Sequence, residues 1–225
     1  MQLHPKTESV NITVLGSFTP SIFRPTWFAK HNLISLEEAQ NAKGTVIVAE
    51  NLSNFSLSDW LIIHVEQNRF QASTNQPQKY ESLRDVTAGA FRLLGQTPLI
   101  QMGINHECHY ELPSKEIWDN LGHRLAPKED WRSLFDEPGM LLLEMQGKRN
   151  DDYEGYIRVR VQSENPDKYG VYIRVNDHYE LRSGSTEDDF SSATSLLQSI
   201  LFHNWQPSAV MANEITSKIS TLSIE

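Results

Sequence analysis

The chain has 225 residues, 39% of them hydrophobic, enough for one large domain or two small ones with an ordinary buried core. A formal charge of −9, from 20 basic against 29 acidic residues, disfavours long-range attraction to nucleic acid or to an anionic membrane. No apolar run approaches the roughly 18 residues of a membrane-crossing helix, Trp60–Val65 and Met140–Leu143 being the longest candidates.

The N-terminal residues Met1-Gln2-Leu3-His4-Pro5-Lys6 lack the apolar core of a secretory signal, and the single cysteine, Cys108, excludes an internal disulfide framework. Both point to the cytoplasm. Met1 to Val10 reads as a loose terminus. Asn11 to Ser17 alternates apolar and polar side chains, the pattern of a short strand. Two short helices follow, one starting at Pro25 and one capped by Ser35, with Glu37 and Glu38 in its first turn. Thr45 to Glu50 is nearly all apolar, which predicts a strand inside a sheet.

Trp60–Glu66 and Arg69–Thr74 alternate on either side of Gln67-Asn68 and predict a hairpin with Leu61, Ile63 and Val65 on its buried face. From Gln76 the period changes. Tyr80, Leu83, Val86, Thr87, Ala90, Phe91 and Leu94 form one stripe of a helix, stopped at Gly95 and blocked by Pro98. Leu99 to Tyr110 returns to alternation, a long strand packed under that helix.

After Pro113 the chain reads as a helix capped by Ser114, a second one from Pro127, and then three strands: Met140–Gln146, Gly155–Gln162 and Tyr169–Leu181. Short polar connections make these an antiparallel meander. Ser183 to Asp189 is acidic and loop-like. A helix through Ala193, Leu197 and Leu201 breaks before Pro207, and Ser208 to Ile219 adds a final helical piece.

The fold class expected is α+β: two antiparallel sheet units, each packed under a long amphipathic helix, spanning residues 1–112 and 113–225 of one or two domains. The two repeat the same order, and Asp85–Met102 can be laid beside Thr194–Met211, so they read as a pseudo-duplication sharing one sheet.

No phosphate-binding loop, nucleophile elbow, His-Glu-x-x-His or dinucleotide fingerprint is present. No catalytic residue, metal ligand or cofactor is assigned. The paired carboxylates Asp151-Asp152 and Asp188-Asp189 read as solvated turns or caps, and the five tryptophans as core or interface anchors. Asn105-His106-Glu107-Cys108-His109 is the one dense cluster of metal-capable groups. Alternation puts His106 and Cys108 on one face and Glu107 and His109 on the other, so a metal would need ligands from elsewhere, such as His64 or His123.

The meander is more informative. Ile157, Val159 and Val161 share one face of its middle strand and Tyr156, Arg158 and Arg160 the other; the last strand likewise separates Val171, Ile173 and Val175 from Tyr172 and Arg174. Paired, the strands set Tyr156, Arg158, Arg160, Tyr172 and Arg174 on one polar-aromatic surface, with Glu144 in reach. A solvated sheet face would look the same. The expectation is a non-catalytic intracellular binding or assembly protein that meets a protein partner or itself through this face. Nucleic acid and membrane are disfavoured as partners. The alternative is a metal-dependent or thiol enzyme centred on His106, Cys108 and His109.

Overall fold

Alternation along the chain closes into one sheet, not two. The computed structural model describes residues 3–134, 136–181 and 190–222. Nine strands form a single antiparallel sheet: β1 (Thr7–Gly16), β2 (Lys43–Val48), β3 (Leu52–Leu57), β4 (Leu61–Glu66), β5 (Arg69–Thr74), β6 (Leu99–Glu111), β7 (Leu142–Lys148), β8 (Gly155–Glu164) and β9 (Gly170–Glu180). They lie in the order β2-β3-β4-β5-β1-β6-β9-β8-β7. One sheet thus stands where two units were expected, with the long β1–β6 pair at its middle, in register from Thr7↔His109 to Leu15↔Gln101.

The helices are α1 (Pro25–Lys30), α2 (Leu36–Gln40), α3 (Tyr80–Leu93), α4 (Lys115–Leu125), α5 (Phe190–Ser199) and α6 (Trp205–Leu222). Three of them begin where local chemistry supplies a partner for the free N–H groups or removes one. Ser35 and Glu38 form a reciprocal capping box on α2, Ser114 Oγ accepts from Ile117 N–H at 3.3 Å, and Pro25 opens α1. All pack on one side of the sheet. α3 lies over β5 and β1, while α5 and α6 lie over β6 and β9; the strand expected beneath α3 is thus covered by the C-terminal helices.

The core between these layers holds Val10, Ile12, Val14, Ile63, Phe70, Leu83, Phe91, Ile104 and Leu197. Its aromatic centre joins Phe18, Phe23, Phe28, Phe55, Phe70 and Phe91, with Phe70 and Phe91 edge to face at 5.0 Å. A second cluster under α4 contains Cys108, Tyr110, Leu121, Val161, Val171 and Ile173.

Several local expectations need correction. Residues 7–10 are not loose, because they extend β1 and pair with His106–His109. β2, expected inside the sheet, is its edge; an apolar run does not distinguish the two without its neighbours. β3 had no sequence prediction, since Ser53, Asn54 and Ser56 dilute its alternation, yet Ser53, Phe55 and Leu57 face the core. Pro127 starts no α-helix, only a single 3-10 turn at Asp130–Ser133. The helix expected to break before Pro207 continues. A π-turn, Ile200–Asn204, joins α5 to α6, and the widened turn accommodates a proline that lacks an N–H for the regular ladder. The acidic loop at 183–189 lies outside the described residues.

Candidate binding face

Among the described residues no helix covers the other side of the sheet, and the residues on that side follow directly from strand register. Arg158 pairs with Asn176, Arg160 with Arg174, and Gln162 with Tyr172, while Tyr156 pairs with His178. Tyr156, Arg158, Arg160, Tyr172 and Arg174 therefore share one surface, as alternation requires, and all five are half-buried.

Their charges are largely answered locally. Arg158 donates from Nη2 to Gln146 Oε1 at 2.7 Å and lies 4.8 Å from the centre of the Tyr156 ring. Arg160 Nη2 is 3.2 Å from Glu144 Oε1, and Arg174 Nη2 is 3.9 Å from the same oxygen. Tyr156 stacks on His178 with ring centres 4.2 Å apart and planes at 14°. Burial lowers the His178 pKa; the carboxylate of Glu180, 3.2 Å away, opposes that, and Arg158 and Arg149 reinforce it. Burial, then the charge of Glu107, raises the phenol of Tyr172.

Pairing order reveals a feature that single-strand alternation cannot. Asn11, Asn105 and Asn176 stand in register across β1, β6 and β9, and Arg158 continues the row on β8. Asn176 Nδ2 donates to Asn105 Oδ1 at 2.8 Å. In the adjacent row Thr13, Gly103, His178 and Tyr156 align, and the absence of a side chain at Gly103 opens a depression of about 270 Å³. A Cβ at Gly103 would lie 2.7 Å from Asn176 Nδ2. The rim includes Arg69, Gln71, Arg158, Arg174 and Glu107, so the hollow is built from amides, arginines and one carboxylate across about 19 Å of sheet.

The opposite side carries a buried polar network with no sequence prediction. Asp177 and Tyr179 of β9 point into the core, fully buried. The Arg149 guanidinium, whose side chain is only 4% exposed, pairs with Asp177 and lies 3.9 Å from the Tyr179 ring centre. Arg149 also holds Asp151 Oδ2 at 2.5 Å; its hydrogen bond is the main reason the Asp151 pKa lies below its ordinary value. Tyr179 Oη donates to Asp177 Oδ2 at 2.6 Å and accepts from Asn204 Nδ2 in the π-turn. From the polar connection between β7 and β8 the Arg149 side chain thus reaches under the sheet, and Asp151, in the exposed turn, is its ion-pair partner. Gly155 lets β8 begin there: its φ is +141°, and a Cβ would collide with the His178 carbonyl at 2.0 Å.

The His106-Cys108-His109 set divides as alternation implies. His106 and Cys108 are buried under α6, with His106 Nε2 3.1 Å from Ser208 Oγ. His109 is on the open face, bonded to Glu164 at 2.7 Å. Burial pushes the Cys108 thiol up to about 12, with Glu8 and Glu107 adding to the effect, the opposite of what a nucleophilic thiolate needs. Among the described residues no three metal-capable side chains converge, and no helix is long and apolar enough to cross a membrane. No family model matches the sequence, and no curated protein matches it.

Proposed function

We propose that this chain is a non-catalytic intracellular binding or assembly protein whose uncovered sheet face contacts another protein. The observation that carries this reading is the sharing of one helix-free surface by Tyr156, Arg158, Arg160, Tyr172 and Arg174, continuous with the Asn11-Asn105-Asn176 row. Such a surface offers aromatic area, forked donors and amides in fixed positions, the side-chain types that recognise protein backbone and carboxylates. Its arginines are balanced by Glu107, Glu144, Glu164 and Glu180 on the same face. That balance, with the overall charge of −9, favours a protein over a polyanion.

The test compares capture of partners from the native cell by the wild-type chain and by Arg158→Ala/Arg160→Ala/Arg174→Ala. Partners held by wild type and lost by the variant support the reading. Identical partners on both would overturn it.

We also read the chain as an internal duplication, and strand order is its support. Outward from β1 lie β5, β4 and β3; outward from β6 lie β9, β8 and β7. Each half opens on a long central strand, passes through helices, returns as a meander, of four strands in the first half and three in the second, and ends on a helix over the sheet. On this order the seam falls before β6 rather than at Pro113, and the correspondence between Pro98 and Pro207 does not extend beyond the helices, since Pro98 precedes a strand and Pro207 lies within α6.

A further inference from the structure

The two ends of the sheet are finished differently. The third strand out from β1 is β3, and β2 pairs along its far side. The third strand out from β6 is β7, and among the described residues nothing pairs along its far side. β2 carries a register break between Lys43 and Ile47, a common means of spoiling an edge for further pairing. β7 has none: it pairs regularly with β8 from Leu142 to Lys148 and contains no proline. Leu141, Leu142 and Met145 are 79%, 47% and 62% exposed. A regular, partly apolar edge is a template for another strand.

One hydrogen bond identifies its free backbone groups. Ser163 N–H donates to the Leu141 carbonyl at 3.0 Å, so Leu141 turns its backbone toward β8. The N–H and C=O of a strand residue point to the same neighbour and alternate along the chain. Leu143, Met145 and Gly147 therefore bond β8, whereas Leu142, Glu144, Gln146 and Lys148 present theirs at the edge.

We propose that β7 pairs antiparallel with β7 of a second copy of this chain, about a two-fold axis through Met145, joining two sheets into one. Only that register sets all four outward residues opposite outward residues: Leu142 against Lys148 and Glu144 against Gln146, each pair occurring twice, for about eight backbone hydrogen bonds. Moving the axis to Glu144 or Gln146 leaves one outward residue of each strand without a partner of its kind, and an axis at Glu144 also places two carboxylates face to face. At Met145 the strands form a non-hydrogen-bonded pair with Cα atoms about 4.5 Å apart. The thioether that one copy leaves in solvent is covered by the other, and the Lys148 stem covers Leu142. The open faces of the two copies become continuous, whatever that face binds.

The experiment is sedimentation velocity on the full chain at about 100 µM, a concentration at which even a modest interface associates. The expected wild-type mass is twice 25.8 kDa. Gln146→Pro removes an outward N–H without removing a backbone bond to β8, and Met145→Lys places two ammonium groups at the axis. Both variants are expected to sediment as monomers with unchanged far-UV circular dichroism. The register is read separately by mild oxidation: Met145→Cys is expected to give a disulfide-linked dimer and Leu142→Cys, which opposes Lys148, none. A monomeric wild type, a dimer that survives both edge variants, or cross-linking through Leu142→Cys but not Met145→Cys would overturn the proposal.

Discussion

His106 Nε2 and Ser208 Oγ, 3.1 Å apart, tie the central strand β6 to the last helix inside the core. From that point α6 and β6 run together: Ser208 meets His106 and, two helical turns on, Thr216 meets Tyr110. Eight helical residues rise about 12 Å and four strand residues about 14 Å, so the contacts stay in step.

Burial lowers the His106 pKa from 6.5 to about 4, against the opposing pull of the Asp177 carboxylate. Between those values the unfolded chain binds a proton that the folded chain refuses. The contribution of this group to stability is therefore complete above pH 6.5, falls as the pH drops toward 4, and levels off below. The loss approaches 1.4 kcal/mol per pH unit and totals about 3 kcal/mol. Urea unfolding at pH 5 and 7.5 should show the difference in wild type and much less of it in His106→Gln. An equal pH dependence in both proteins would contradict this account.

Arg149 and Asp177 form an ion pair taken almost wholly out of water. Removing one partner strands the other charge, so Arg149→Met or Asp177→Leu alone should each cost about 3–5 kcal/mol. The double variant should recover much of that loss, because two matched hydrophobes replace a matched pair. A denaturant double-mutant cycle gives the coupling energy directly; additive losses would mean that the two groups act independently.

Cys108 is buried and its thiol is held protonated, its pKa pushed up to about 12. Alkylation by iodoacetamide at pH 8 should be slower in the native protein than in urea by several orders of magnitude, in proportion to the fraction unfolded. Labelling at the rate of a free thiol would place Cys108 in reach of solvent and revive a chemical role for it.

Gly103 forms the floor of the open-face hollow. In Gly103→Ala the new methyl must displace the Asn176 amide, 2.7 Å away, and with it the bond to Asn105. A stability loss of about 1–2 kcal/mol is expected, with a larger effect on partner capture than on folding. Stability and capture both at wild-type level would remove the hollow from the recognition surface.

The sequence was most legible where one period ran uninterrupted. Leu61-Ile63-Val65, Val171-Ile173-Val175 and the α3 stripe through Phe91 report burial at fixed steps, and all face the core. The five open-face residues followed from the same rule. What escaped depends on pairing between distant strands. Asn11, Asn105 and Asn176 look unrelated until β1, β6 and β9 are adjacent, and Arg149 reads as a loop residue until Asp177, 28 positions away, is buried beside it. Asp177 itself occupies an inward position in an otherwise apolar alternation, the one local sign that a cation had to be near. β3 was hidden by its serines, one of which, Ser53, is buried because its hydroxyl donates to the Phe23 carbonyl at 2.5 Å.

The π-turn at Ile200–Asn204 acts as a phase shifter. One residue more than a regular turn rotates everything downstream by about 100°. In that phase α6, beyond Trp205, turns inward the narrow file Ser208, Ala212, Thr216 and Ser220. Small side chains let a helix axis settle close to β-strands, so the extra residue sets how near α6 sits to β6. Were the same residues wound as a regular α-helix, Met211, Ile215 and Ile219 would turn inward in place of that file and lift the helix from its seat, whereas deleting one position from 200 to 204 should leave a regular turn with the file still facing β6.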